Sequence, residues 1–131
     1  MPWVELFAVL VVSHLAGDFL LQTEWHALKK HGGLGGDAEA RRALFSHVLS
    51  YTLAFVPALI WVGDELGAGA AVGTAALVAG PHLIQDDGRV LRRYMLAIKD
   101  TDPEAEPSLG VMVDQSLHMV VLLAIALLIG K

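Results

Sequence analysis

The sequence predicts an all-α protein: a four-helix transmembrane bundle forming one integral membrane domain over residues 1–131, with a short amphipathic interfacial helix between helices three and four. Three observations carry this expectation. Hydrophobic residues make up 55% of the chain and charged residues only 18%, against roughly 25% charged in an ordinary soluble domain. Mean hydropathy is +0.56, so the chain has too little charge to coat a water-facing surface. The apolar residues are also gathered into stretches near the ~20 residues that a membrane-crossing helix needs. The same balance excludes a nucleic-acid partner, because the net charge is −5 and no basic domain exists. It also excludes a disordered tail. Cysteine is absent, which removes thiolate chemistry and sulfur ligands.

Helix one is expected over about residues 2–23. Pro2 suits a first helical turn, and the apolar run is interrupted only by Glu5, Ser13, His14, Asp18 and Gln22. No basic segment precedes it and no small-residue cleavage site follows it, so it reads as a retained helix, not a secretory signal. Glu24 to Gly36 reads as a polar, glycine-rich loop in which His26 and His31 are solvated. Asp37 is a candidate N-cap for helix two, about 38–62, which Pro57 should kink. Asp64 and Glu65 mark a turn. Helix three, about 66–87, is rich in Gly and Ala, a composition that lets membrane helices approach closely and places it inside the bundle. Arg89 to Lys99 sets Val90, Leu91, Tyr94, Met95 and Ile98 against Arg89, Arg92, Arg93 and Lys99, the pattern of an interfacial helix. Helix four, about 109–129, has no polar residue from Met119 onward.

Lys and Arg placement sets orientation. Lys29, Lys30, Arg41 and Arg42 fall in the first connection, and Arg89, Arg92, Arg93 and Lys99 in the third. The second turn holds none, which leaves Lys131. In a bacterial inner (cytoplasmic) membrane the basic connections face the cytoplasm, and both termini of this multi-pass chain lie outside.

The chemistry is carried by His/Asp pairs at one spacing: His14 with Asp18, His82 with Asp86, and Asp114 with His118. An i, i+4 pair shares one helix face. His47 enters from helix two with Tyr51 one turn on, while Gln22 and Gln115 lie beside the pairs. At about 1.5 Å per residue, His14 lies ~12 Å before Gln22 and His118 ~14 Å past Leu109. In an antiparallel bundle these groups therefore share one layer near the basic side. Each ionisable group in a bilayer costs ~2.5–3.5 kcal/mol at the centre and marks function by default. A divalent transition metal (Zn, Mn or Fe), one or two per chain, is the expected neutraliser, because imidazole and carboxylate donors without sulfur suit those ions. The ligand pool is His14, Asp18, His47, His82, Asp86, Asp114 and His118. Gln22, Tyr51 and Gln115 would support it from behind. Taken singly, each of these residues reads as a snorkelling or hydrogen-bonding side chain. Taken together, a proton or ion relay, polar packing between helices and haem ligation compete with the metal.

The run His14-Leu15-Ala16-Gly17-Asp18-Phe19-Leu20-Leu21-Gln22-Thr23 with Trp25, then His47 with Tyr51, His82-x3-Asp86, and Asp114-Gln115-x2-His118, resembles an uncharacterised bacterial and phage membrane family, domain of unknown function 3307. The likeness spans helix one to the start of helix four and departs at Asp87-Gly88-Arg89, where an aromatic-x-Lys type of sequence is expected. It implies four membrane helices. In style it is similar to membrane-bound metal-dependent hydrolases.

The functional expectation is a metalloprotein with its His/Asp centre near the cytoplasmic face, hydrolysing a lipid or phosphoester. Asp18, Asp86 and Asp114 would do the catalysis at a cleft they line, with metal activating water at a pKa of ~7. Arg89, Arg92 and Arg93 would hold a membrane lipid headgroup. A homo-oligomer is compatible with this. The alternatives are an ion or metal transporter or channel subunit, and a non-catalytic membrane partner subunit with a structural polar layer.

Overall fold

The computed structural model describes all 131 residues, and these form seven α-helices and no strand. Helix α1 (Trp3–Leu15) continues through a π-helical segment (Ala16–Leu20). Next come α2 (Glu24–Lys29), α3 (Ala38–Ala54), α4 (Val56–Leu66) and α5 (Ala68–Asp86). The chain ends with α6 (Arg89–Tyr94), a second π-helical segment (Met95–Lys99) and α7 (Pro107–Ile129).

Local chemistry explains most boundaries. The Asp37 carboxylate accepts the Ala40 N–H at 2.8 Å and starts α3. Helix two of the sequence reading breaks at Phe55 into α3 and α4, bent by 53°. Pro57 is the cause: its ring crowds the Leu53 carbonyl and it has no N–H to offer, and the chain tightens locally with Phe55 N–H on Thr52 O at 3.0 Å. Gly88, at φ +86°, ends α5 in a left-handed turn. Pro81 lies within α5.

Two helical stretches are long and apolar enough to cross a membrane, Trp3–Leu20 and Pro107–Ile129, and the bent α3–α4 pair makes a third if it is one crossing. The fourth expected span, α5, falls short of that standard because Gly, Ala, His82 and Gln85 dilute its apolar residues. Nor is α5 enclosed. Thr74, Val78, His82 and Asp86 are buried, but Val72 and Leu77 are exposed, and Gly69, Gly73 and Gly80 face open space. These three glycines are therefore not used for close helix contact, whereas Ala71 meets Gly63 of α4 and Ala70 packs against the apolar core.

The expected polar loop at 24–36 contains α2. Thr23 and His26 close a reciprocal cap: His26 N–H donates to Thr23 Oγ1, and Thr23 N–H donates to His26 Nδ1, both at 3.2 Å.

The core divides along the helix axes. Leu6, Leu10, Phe55, Val62, Leu122 and Ile125 fill one half with apolar side chains. The termini meet at that end, with Lys131 N–H on Met1 O at 3.0 Å and Trp3 N–H on Lys131 O at 3.3 Å. The opposite half holds the buried ionisable residues. Outward-facing Val12, Leu49, Ile60 and Val120 are exposed, a surface suited to lipid.

Candidate metal centre

Four elements deliver the polar layer. The π-helical segment after α1 presents Gly17 and Asp18, α3 presents His47 and Tyr51, α5 presents His82 and Asp86, and α7 presents Asp114, Gln115 and His118. Gly17 makes the α1–α3 approach possible, because a Cβ there would lie 2.6 Å from Tyr51 Cδ2 and 3.2 Å from Tyr51 Cα. The wider π turn, a feature frequent at functional sites, then brings Asp18 to His47.

Asp18, His47, His82 and Asp86 are all buried and form one candidate metal-holding group. His47 Nε2 lies 3.0 Å from His82 Nε2, 3.2 Å from Asp18 Oδ1 and 2.9 Å from Asp86 Oδ2. His82 Nε2 lies 3.5 Å from Asp18 Oδ1 and 3.2 Å from Asp86 Oδ2. Donor atoms around a tetrahedral ion with bonds of about 2.0–2.1 Å are ~3.3 Å apart, so these spacings fit such an ion. Hydrogen bonding does not account for them equally well. Asp18 Oδ1, Asp86 Oδ1 and His47 Nδ1 are buried without a hydrogen-bond partner, and although the Lys30 ammonium stands 2.7 Å from Asp86 Oδ2, Asp18 has no Lys or Arg partner to offset the cost of its bare oxygen.

With neutral rings, the hydrogen bonds around the group assign its tautomers. A backbone carbonyl only accepts, so His118 Nδ1 carries the proton it donates to Asp114 O at 2.7 Å. In the neutral ring His118 Nε2 then accepts from His82 Nδ1 at 2.9 Å. His82 Nε2 is left with a lone pair, aimed at two carboxylate oxygens and a second imidazole nitrogen. A second chain begins at Asp18. Its carboxylate accepts from Gln115 Nε2 at 3.2 Å. That turns Gln115 Oε1 toward His14, which donates from Nε2 at 2.8 Å. His14 Nδ1 therefore accepts the Tyr51 hydroxyl at 2.9 Å.

Of the expected ligands, the structure thus gathers Asp18, His47, His82 and Asp86. Asp86, Asp114 and His118 form a second, overlapping group, with Asp86 Oδ1 3.2 Å from His118 Nε2. His14 stands beside both groups with its two nitrogens committed. Tyr51 and Gln115 support the layer as described, and Gln22 accepts from Lys30 Nζ at 2.7 Å.

Two residues of the layer escaped sequence reasoning. Lys30 is buried, and its ammonium sits 2.7 Å from Asp86 Oδ2. In sequence it reads as a topology-setting charge. His26, expected to be solvated, is buried and hydrogen-bonded through Nε2 to Ser46 Oγ at 2.9 Å. Burial, with His47 and Lys30 nearby, holds its imidazole below the usual pKa. The overlooked signal was their i, i+4 spacing behind Thr23, the same spacing as the three His/Asp pairs.

A cleft of about 310 Å³ opens beside the group, walled by Asp18, Gln22, Lys30, Asp114 and Gln115 on its polar side. Asp86, expected on this wall, lies behind Lys30. A neighbouring pocket of about 210 Å³ is lined by His31, Asp87, Arg89 and Arg92. Arg89 Nε pairs with Asp87 at 3.1 Å and Arg92 with Asp102 at 2.9 Å. The Glu104 N–H and the Arg92 guanidinium hold Asp102 below the usual carboxylate range. Arg93, grouped with these two as a headgroup contact in the sequence reading, is exposed and does not line the pocket.

No curated protein and no solved structure matches the chain. The likeness to membrane-bound metal-dependent hydrolases has no support among the comparisons. One family model does match, described as "Protein of unknown function (DUF3307)", over residues 6–131. That match covers nearly the whole sequence, including every motif residue named above, and the chain belongs to the DUF3307 family.

Proposed function

We propose that this protein is an integral membrane metal-dependent hydrolase, with four membrane-crossing segments and its centre near the cytoplasmic face, acting on a lipid or phosphoester. The observation that carries the reading is the convergence of His47 Nε2, His82 Nε2, Asp18 Oδ1 and Asp86 Oδ2 at 2.9–3.5 Å. In this reading the bent α3–α4 pair is one crossing, α5 is another, α6 lies at the interface, and both termini face outward.

Asp18, His47, His82 and Asp86 would hold a divalent ion of the Zn, Mn or Fe(II) kind. Such an ion, when bound, supplies Lewis acidity and activates water at neutral pH. One ion per chain is favoured, because His118 Nε2 in the overlapping group already takes the His82 proton. His118 orients His82 and Gln115 orients Asp18, the roles that outer partners play around a metal. Asp114, on the cleft wall, is the carboxylate placed to accept a proton from water.

Two alternatives make different demands. A transporter needs a polar path through the other half of the bundle, which Leu6, Leu10, Phe55 and Leu122 fill. A proton relay draws support from the file His47–His82–His118, with steps of 3.0 and 2.9 Å. Elemental analysis of protein purified in detergent separates these readings. One divalent transition metal per chain, lost on mutation of His47 or His82, is the expected result. Metal-free protein that keeps its fold would replace the hydrolase with the relay.

A further inference from the structure

Lys30 is a buried cation at a point where the metal reading requires none. Its side chain is 10% exposed, and its Nζ contacts Asp86 Oδ2 and Gln22 Oε1, both at 2.7 Å. An ammonium has three N–H donors in tetrahedral array, and these two acceptors take two of them. Lys30 also lines the 310 Å³ cleft together with Asp18, a member of the metal-holding group. The third N–H has no protein acceptor, and Lys30 is a wall residue of the cleft next to that group.

The surroundings specify what would use it. The adjoining pocket, which shares His31, Leu91 and Pro103 with the cleft, carries Arg89 and Arg92. On the cleft wall itself Lys30 is the one Lys or Arg, and it stands beside Asp18 and Asp114. An anion entering the cleft has Lys30 as its cationic partner, with the metal of the proposed centre offsetting the charge of Asp18, and the rim is apolar: Phe19 and Val111, on the two membrane-crossing stretches, both line it and are 59% and 57% exposed. A small anionic group attached to an apolar tail matches this pairing of charge and surface.

We infer that Lys30 is the anion-holding residue of the cleft, and that it takes a phosphoryl oxygen of a membrane amphiphile whose tail leaves between Phe19 and Val111. This rests on the metal-centre reading and deepens it by naming the substrate class. Lys30 grips the phosphoryl group at an oxygen that does not react, next to Asp18. Arg89 and Arg92, already paired with Asp87 and Asp102, are left for longer-range attraction.

The test measures two quantities on the same detergent-purified samples: metal content, and affinity for inorganic phosphate by calorimetry. Wild type, Lys30→Gln and Lys30→Arg are compared. The expected result is unchanged metal in all three, with phosphate binding weakened about tenfold or more in Lys30→Gln, as for the loss of one charge-assisted hydrogen bond, and restored in Lys30→Arg. Unchanged phosphate affinity in Lys30→Gln, with metal present, would overturn the inference and leave the metal centre standing. Parallel loss of metal from both variants would also overturn it, making Lys30 a support for Asp86. Metal-free wild type would instead remove the hydrolase reading itself. A second arm uses nanodiscs of phosphatidylcholine with and without a phosphomonoester lipid. Protection of a cysteine at Val111 from thiol labelling only when that lipid is present is expected. Protection by free phosphate alone would assign the cleft to a soluble phosphate and overturn the membrane source.

Discussion

The ring of Tyr51 lies flat on the imidazole of His82, with centroids 3.4 Å apart and planes within 2°. Two rings left to their own quadrupoles choose an offset or edge-on arrangement, so the packing around them imposes this one. Phe55 presses on Tyr51 from the apolar half, at 4.9 Å between centroids, while the Tyr51 hydroxyl reaches His14. Tyr51 thus forms the boundary between the apolar half and the polar layer. It fixes one imidazole by stacking and another by a hydrogen bond.

That double role predicts different outcomes for two substitutions. Tyr51→Phe keeps the stack and leaves His14 Nδ1 buried without a donor, a cost of about 1–3 kcal/mol. Its thermal stability should fall while metal content stays at the wild-type level. Tyr51→Leu removes the stack as well and should lower metal affinity too. Equal metal loss in both would assign His82 placement to the hydroxyl.

The histidines of the layer should not respond alike. His47→Ala and His82→Ala each remove a converging nitrogen and should abolish stoichiometric metal. His14→Ala, which frees Gln115 and through it Asp18, should weaken metal binding about 10–100-fold without abolishing it, as for the loss of an outer partner. Competition with a chelator of known affinity reads the difference. Complete loss in His14→Ala would bring His14 into the ligand set.

His26→Ala should leave metal content intact and destabilise the protein. It removes one half of the reciprocal cap with Thr23 and the bond to Ser46 Oγ, and the loss of a cap costs about 0.5–2 kcal/mol. A lowered denaturation midpoint with full metal content is the expected pair of observations. An unchanged midpoint would return His26 to the solvated loop.

Gly17→Ala places a methyl group 2.6 Å from Tyr51 Cδ2. Because Tyr51 Cα lies only 3.2 Å away, rotation of the ring cannot relieve the whole clash and α1 must move from α3. Overpacking of this kind costs about 1–3 kcal/mol, and here it should also reduce metal binding by shifting Asp18. A Gly17→Ala protein with wild-type stability would show that the two helices are not in firm contact.

Topology can be checked without background labelling, because the chain has no cysteine. A cysteine introduced at Lys131 should react with an impermeant thiol reagent added outside intact cells, and one introduced at Arg93 should not. The reverse pattern would invert the orientation.

The sequence by itself determined the helical class, the shared depth of the His/Asp pairs and the break near Pro57. All of these follow from composition and the 3.6-residue repeat, which are local properties. It also placed Tyr51 and Gln115 beside the layer, because helical spacing carries them to the same face as their neighbours. The tertiary structure alone decided which donors converge. Spacing puts His14 and Asp18 on one face, but the π turn at Ala16–Leu20 and the close approach at Gly17 carry Asp18 to His47 and leave His14 with Tyr51 and Gln115. It alone turned Lys30 inward from a segment that reads as a solvated loop, because α2 folds back onto α3 through the His26–Ser46 bond and delivers the ammonium to Asp86. The exposure of α5 was equally beyond the sequence. A helix of small residues fits a crowded interior and an open flank alike, and only the positions of its neighbours choose between them.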